Sequence, residues 1–176
     1  MSLLARVAAH LRQQGSEFAV IGAAALAVHG IARSTQDLDL LVTDRYCLNP
    51  LYWAPVRTAG VEVTVRSGDE TDPLAGVARL RAAGQTPLDV VVGRARWQSA
   101  VIARALPAHV DGVEVPAVRA ADLILLKLYA GGPQDAWDIT QLLGAGDAVA
   151  LVADVAARLG DLPPDARQLW TRIREA

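Results

Sequence analysis

Residues 20–42 read VIGAAALAVHGIARSTQDLDLLV, and this stretch decides the fold. Most of it is small and apolar, yet Asp37 and Asp39 stand inside DLDLLV, a run that otherwise has the composition of a buried strand. Side chains at i and i+2 of a strand leave the same face, ~7 Å apart along the chain. Two carboxylates placed that way repel each other, and burying either without a partner costs several kcal/mol. A divalent cation removes the conflict. Oxygen-only ligands suit a hard ion such as Mg2+, which keeps waters and bridges phosphates. Leu38, Leu40 and Leu41 would anchor the strand that carries the pair.

The turn before the pair points the same way. FAVIG (18–22) has strand composition, and AAALAVHG (23–30) has helix composition closed by Gly30. A strand–Gly–helix junction aims free backbone N–H groups at whatever lies above it, and the helix dipole favours an anion there. An anion cradle thus precedes a metal-binding pair, and phosphate and Mg2+ belong together chemically.

Outward from this centre, Leu3, Leu4, Val7, Ala8 and Leu11 predict a helix over 3–14, ended by Gly15. Asn49 caps a predicted helix to about Ala59, and VEVTVRS (61–67) alternates as a strand. GVARLRA (76–82) and PLDVVVG (87–93) are predicted strands. Residues 94–106 read as a helix stopped by Pro107, and HVDGVEV (109–115) as a hairpin turning at Asp111-Gly112. From ADLILLKLYA onward the chain reads as helices separated by Gly and Pro. The fold class is therefore α/β (α+β), a mixed β-sheet core over residues 1–116 with a helical C-terminal part, 117–176, packed on it.

The 176 residues favour one compact unit able to bury a core. With 17 Lys plus Arg against 19 Asp plus Glu the formal charge is −2, which argues against general DNA binding, whose affinity comes from phosphate contacts. The single Cys47 excludes an internal disulfide framework and a cysteine zinc cluster, and suits a reducing cytoplasm. No apolar run approaches the ~20 residues of a membrane span. The hydrophobic content, 52%, is high and makes a protein partner or homodimer surface plausible.

The ordered set Ile21-Gly22-Ala23, thirteen residues, then Asp37-Leu38-Asp39-Leu40 resembles the signature of the nucleotidyltransferase superfamily. HG (29–30), RST (33–35) and DLDL look most like its AbiEii-like branch, related to type IV toxin–antitoxin systems. PLDVVVG (87–93), LLKLYA (125–130) and QDAWDI (134–139) fit that branch too. The resemblance implies transfer of a nucleoside monophosphate from an NTP to a hydroxyl, through two Mg2+ ions. Asp37 and Asp39 would hold the metals, and Asp89 would complete the cluster and help deprotonate the attacking hydroxyl. Gly22 and Ala23 would contact phosphate, joined by Arg33, Ser34 or Thr35. Lys127 would reach the nucleotide, with Asp135 or Asp138 as a secondary contributor. The acceptor stays open: an RNA 3′ end, a protein side chain, or a small molecule such as an aminoglycoside.

Each residue also has a plainer reading. Arg33 would pair with Asp37 across the loop. Lys127 would lie along a helix surface, and replacing it by Ala would barely move the melting temperature in either case. Asp135 and Asp138 would favour a helix start. The four tryptophans would anchor core or interface. Where the resembling family has Gly or Ser after the first Gly, this chain has Ala23, which admits a second function class: a catalytically weak nucleotide-binding or protein-interaction module of a toxin–antitoxin-like pair.

Overall fold

A computed structural model describes residues 1–175. Seven strands form one mixed sheet. In chain order they are β1 (Phe18–Ile21), β2 (Leu38–Val42), β3 (Glu62–Ser67), β4 (Leu74–Arg81), β5 (Leu88–Gly93), β6 (Leu106–Val110) and β7 (Val113–Ala117), and the spatial order is β3-β4-β5-β2-β1-β7-β6. β2 runs parallel to β5 and antiparallel to β1, and β4 runs antiparallel to both β3 and β5. The central strands are apolar because they are covered: Leu40, Val42, Leu88, Val90 and Val92 are fully buried. Asp39 and Asp89 interrupt that pattern at facing positions.

Helix α1 (Leu3–Gln13) is capped by the Ser2 hydroxyl, which accepts from the Ala5 amide at 3.2 Å, and it buries its Leu3-Leu4-Val7-Ala8-Leu11 stripe. Helix α2 (Gly22–Val28) starts directly from β1. The expected 49–59 helix is a 3-10 turn, Pro50–Trp53, followed by α3 (Ala54–Thr58); Asn49 caps the turn through Leu51 N at 3.0 Å. Trp53 is fully buried and donates to the Cys47 carbonyl at 2.8 Å, so it is a core anchor.

A second difference from the expectation lies at residues 94–110. Helix α4 spans only Arg96–Ala103, and Pro107 lies inside β6, opposite Pro116 of β7. The apolar run LPAHV is strand, because β6 is an outer strand of the sheet, where a missing donor is tolerated. The Asp111-Gly112 hairpin is present, with φ of 48° and 74°. The C-terminal part comprises α5 (Ala120–Ala130), α6 (Pro133–Ala145), α7 (Ala148–Ala156) and α8 (Pro164–Glu175). Leu123, Ile124, Leu125 and Leu128 of α5 are buried, which fixes this helix as the hub of that part. No described helix is long and apolar enough to cross a membrane.

Candidate active site

Strand register assembles the site. Ile21 pairs with Asp39, Asp39 with Asp89, Asp89 with Arg79, and Arg79 with Thr64. Facing residues of paired strands share a face, so Thr64, Arg79, Asp89 and Asp39 form one row across the sheet, with neighbouring strands about 4.8 Å apart. Asp37 lies two residues before Asp39, immediately ahead of β2.

Gly22 adjoins this row. Its φ is +65°, and a Cβ built on it would lie 2.3 Å from Asp39 Oδ2. Only glycine satisfies both conditions, so the turn is tied to the carboxylate it faces. The Asp39 carboxyl receives no hydrogen bond and forms no ion pair among the described residues. Its pKa is pushed up to about 6, first by burial and then by the negative charges of Asp89 and Asp37. It is an uncompensated carboxyl held in place by apolar strands.

Asp89 is in the opposite condition. Arg79 grips it with two parallel bonds, Nε to Oδ1 at 2.8 Å and Nη2 to Oδ2 at 2.6 Å, and the same Nη2 lies 3.6 Å from Asp37 Oδ2. The guanidinium is thus the cation that Asp37 and Asp89 see. Among the described residues no three Asp, Glu, His or Cys side chains converge as a metal cluster. The donors that fit a hard cation are Asp37 and Asp39, and one or two carboxylates are the usual protein share of a Mg2+ site. Asp89 fits only once Arg79 releases it.

The loop and helical residues form a second network. Arg33 does not pair with Asp37: its Nη1 lies 2.5 Å from Asp138 Oδ2. Lys127 is not a surface lysine. It is buried, with Nζ 2.5 Å from Asp138 Oδ2 and 3.1 Å from Asp135 Oδ1, and its charge is felt at Asp39. Asp138 is fully buried between the two cations, so it is no helix-start acid. Asp135 does close the start of α6, accepting from the Gly132 amide at 3.1 Å. Thr35 Oγ1 bonds both backbone groups of Asp37, at 2.7 and 3.3 Å, and sets the approach to β2. Ser34 is exposed and Ala23 is buried. Lys127→Ala would leave Asp138 with Arg33 as its one cation, beside a long bond from Gln134 Nε2 at 3.4 Å, and is expected to cost on the order of 2–4 kcal/mol, against the small effect expected of a surface lysine; thermal unfolding measures it.

Sequence reasoning missed Arg79 and the role of Asp138. The alternation Val77, Arg79, Arg81 in GVARLRA was the available signal for the first, but only the register of β4 on β5 sets Arg79 against Asp89. Beside Arg79 and Asp89 opens a cleft of about 560 Å³ over the β3–β4–β5 face.

No protein-family profile matches the chain. Solved structures do. One is the crystal structure of ANT(2")-Ia in complex with adenylyl-2"-tobramycin, at TM-score 0.56 and 17% identity, covering 88% of this chain and 94% of that one. Another is the lincomycin-bound lincosamide antibiotic adenylyltransferase LnuA, at TM-score 0.51 and 11% identity, covering 81% and 96%. A third is an antigenic nucleotidyltransferase-like protein from Paracoccidioides brasiliensis, at TM-score 0.50 and 16% identity, covering 94% and 90%. At these identities the likeness is one of fold: the chain has the mixed α/β nucleotidyltransferase fold.

Proposed function

We propose that this chain transfers a nucleoside monophosphate from an NTP to a hydroxyl acceptor, with Mg2+ held by Asp37 and Asp39 and joined by Asp89 when Arg79 lets go. The observation that carries the reading is Asp39, an unpartnered carboxyl beside the Gly22 turn and in register with Asp89. The matched structures support it, since they include a lincosamide antibiotic adenylyltransferase and ANT(2")-Ia in complex with adenylyl-2"-tobramycin. The bound metal would supply charge neutralisation for the triphosphate and the departing pyrophosphate.

The protein's own groups account for the rest. The Gly22–Ala23 turn and the Arg33-Ser34-Thr35 loop receive phosphate oxygens. Lys127 and Arg33, locked on Asp138, hold that loop against α5 and α6, and Lys127 places positive charge near Asp39. Asp89 takes the proton from the acceptor hydroxyl. The acceptor oxygen bonds to the α-phosphorus, the bond to the bridging oxygen breaks, and pyrophosphate leaves with that electron pair. In this assignment residues 1–116 carry the reacting groups and residues 117–176 contribute Lys127 and Asp135. The HG, RST and DLDL motifs favour the AbiEii-like, toxin–antitoxin-related branch, and an NTP substrate favours the cytoplasm.

Two observations favour a second reading, a catalytically weak module acting through a protein partner: Ala23 follows Gly22, and Arg79 occupies Asp89. Incubation with each labelled NTP, Mg2+ and cell extract separates the readings. Transfer of label to an acceptor is the expected result, and NTP binding without label on any molecule would support the module. Mg2+ and NTP together should also raise the melting temperature by more than the sum of their separate effects. Equal stabilisation by NTP in EDTA would exclude a metal-bridged site.

A further inference from the structure

The cleft beside Asp89 has a chemical character of its own. Its floor is the exposed face of β3, β4 and β5, where Glu62, Thr64 and Arg66 face Arg81, Arg79 and Val77 in register. Three guanidiniums therefore stand on two adjacent strands, on the side from which a hydroxyl would reach Asp89. Arg79 is matched by Asp89. Arg66 and Arg81 are exposed and have no ion-pair or hydrogen-bond partner among the described residues. Glu62 marks the outer end, on the outermost strand. Asp72 lies on the rim, with Oδ2 receiving the Asp69 amide of its own loop at 2.8 Å.

We infer, resting on the transferase reading above, that this cleft is the acceptor site and that the acceptor carries a phosphate close to its reactive hydroxyl. A guanidinium fork binds phosphate as it binds carboxylate, through paired N–H···O bonds. A phosphate entering the cleft competes with Asp89 for Arg79 and is drawn inward by Arg66 and Arg81. When Arg79 turns to the phosphate, Asp89 is released beside the acceptor's hydroxyl. The same contact then selects the substrate and frees the base. A polycationic acceptor, such as tobramycin, would have to settle against the three guanidiniums, with Glu62, Asp72 and Asp89 as the carboxylates that share the lining. Phosphate next to a hydroxyl occurs in a sugar phosphate and at the end of an RNA strand.

Titration calorimetry on the full chain in EDTA without NTP tests this with three probes: ribose 5-phosphate, a short single-stranded oligoribonucleotide and tobramycin. At least one anionic probe is expected to bind, and more tightly than tobramycin. Arg66→Glu and Arg81→Gln are each expected to weaken that binding roughly ten-fold or more, the loss of a charge-assisted contact. Both residues are exposed, and Gln at position 81 avoids a like-charge pair with Glu62, so both variants should fold. Binding of ribose 5-phosphate supports a small phosphorylated acceptor, and binding of the oligoribonucleotide alone supports an RNA end. Tobramycin binding more tightly, no anionic probe binding, or no effect of either substitution would overturn the inference. The Mg2+–NTP thermal response of the same variants is a separate reading: its retention alongside failed probe binding removes the acceptor assignment alone. Its absence in the wild type removes the nucleotide site instead.

Discussion

Asp39→Asn is expected to melt above the wild type in EDTA at neutral pH, and to lose the stabilisation that Mg2+ with NTP gives. The first effect follows from an acid whose folded-state pKa is about 6 against an ordinary 3.8. The folded state holds the Asp39 proton more tightly than the unfolded chain does. Stability is therefore lost as pH rises from about 3.8 through about 6, and stays lost above that. The gap corresponds to at most about 3 kcal/mol, which Asn, neutral and of the same shape, restores. The wild type in EDTA should grow less stable from pH 4 to 7, while the variant's profile should be flatter. The second effect follows from losing a ligand; a bound ligand at a hundredfold its Kd contributes about 2.7 kcal/mol that the variant would lack. Melting curves of both proteins, in EDTA across pH and in Mg2+ with NTP, measure both effects. A variant that melts below the wild type in EDTA and keeps the ligand response would mean that Asp39 is a structural hydrogen-bonding group.

Gly22→Ala is expected to destabilise by about 3–5 kcal/mol, from the left-handed backbone and from a Cβ forced against the Asp39 carboxyl. The collision is specific to that side chain, so it is separable. In an Asp39→Ala background the added cost of Gly22→Ala should fall to the backbone share, about 1–2 kcal/mol. Denaturant unfolding of the two single variants and the double variant gives the coupling directly. Additive costs would show that the turn and the carboxyl do not constrain each other.

The centre of the fold was legible from residues 20–42. Gly22 at a strand–helix junction and acids at i and i+2 in an apolar run are local signals, and local signals survive in a sequence. The α5 and α6 helices were legible from their apolar runs and from the Gly and Pro between them. What stayed hidden depended on pairing. Arg79 reads as an ordinary outward residue of an alternating strand until β4 is set against β5. Lys127 reads as a nucleotide contact or a helix-surface lysine, and Asp138 as a helix-start acid or secondary contributor, because nothing local says that Arg33, over ninety positions earlier in the chain, closes over Asp138. Pro107 misled for a related reason: it reads as a helix stop, but α4 ends at Ala103 before reaching it, and an outer strand admits the proline.

The two outer strands have a consequence for the chain's behaviour among its own copies. β6 contains Pro107, which withholds a backbone donor, and β3 presents Glu62, Thr64 and Arg66 while Arg57 bonds the Val63 carbonyl at 2.8 Å. Both borders of the sheet are therefore poor templates for an incoming strand. Fibrillar stacking and edge-to-edge domain exchange are disfavoured at each border. A dimer of this chain would not be built by extending the sheet at either border, and a concentrated solution should stay free of cross-β aggregates as long as the fold is intact.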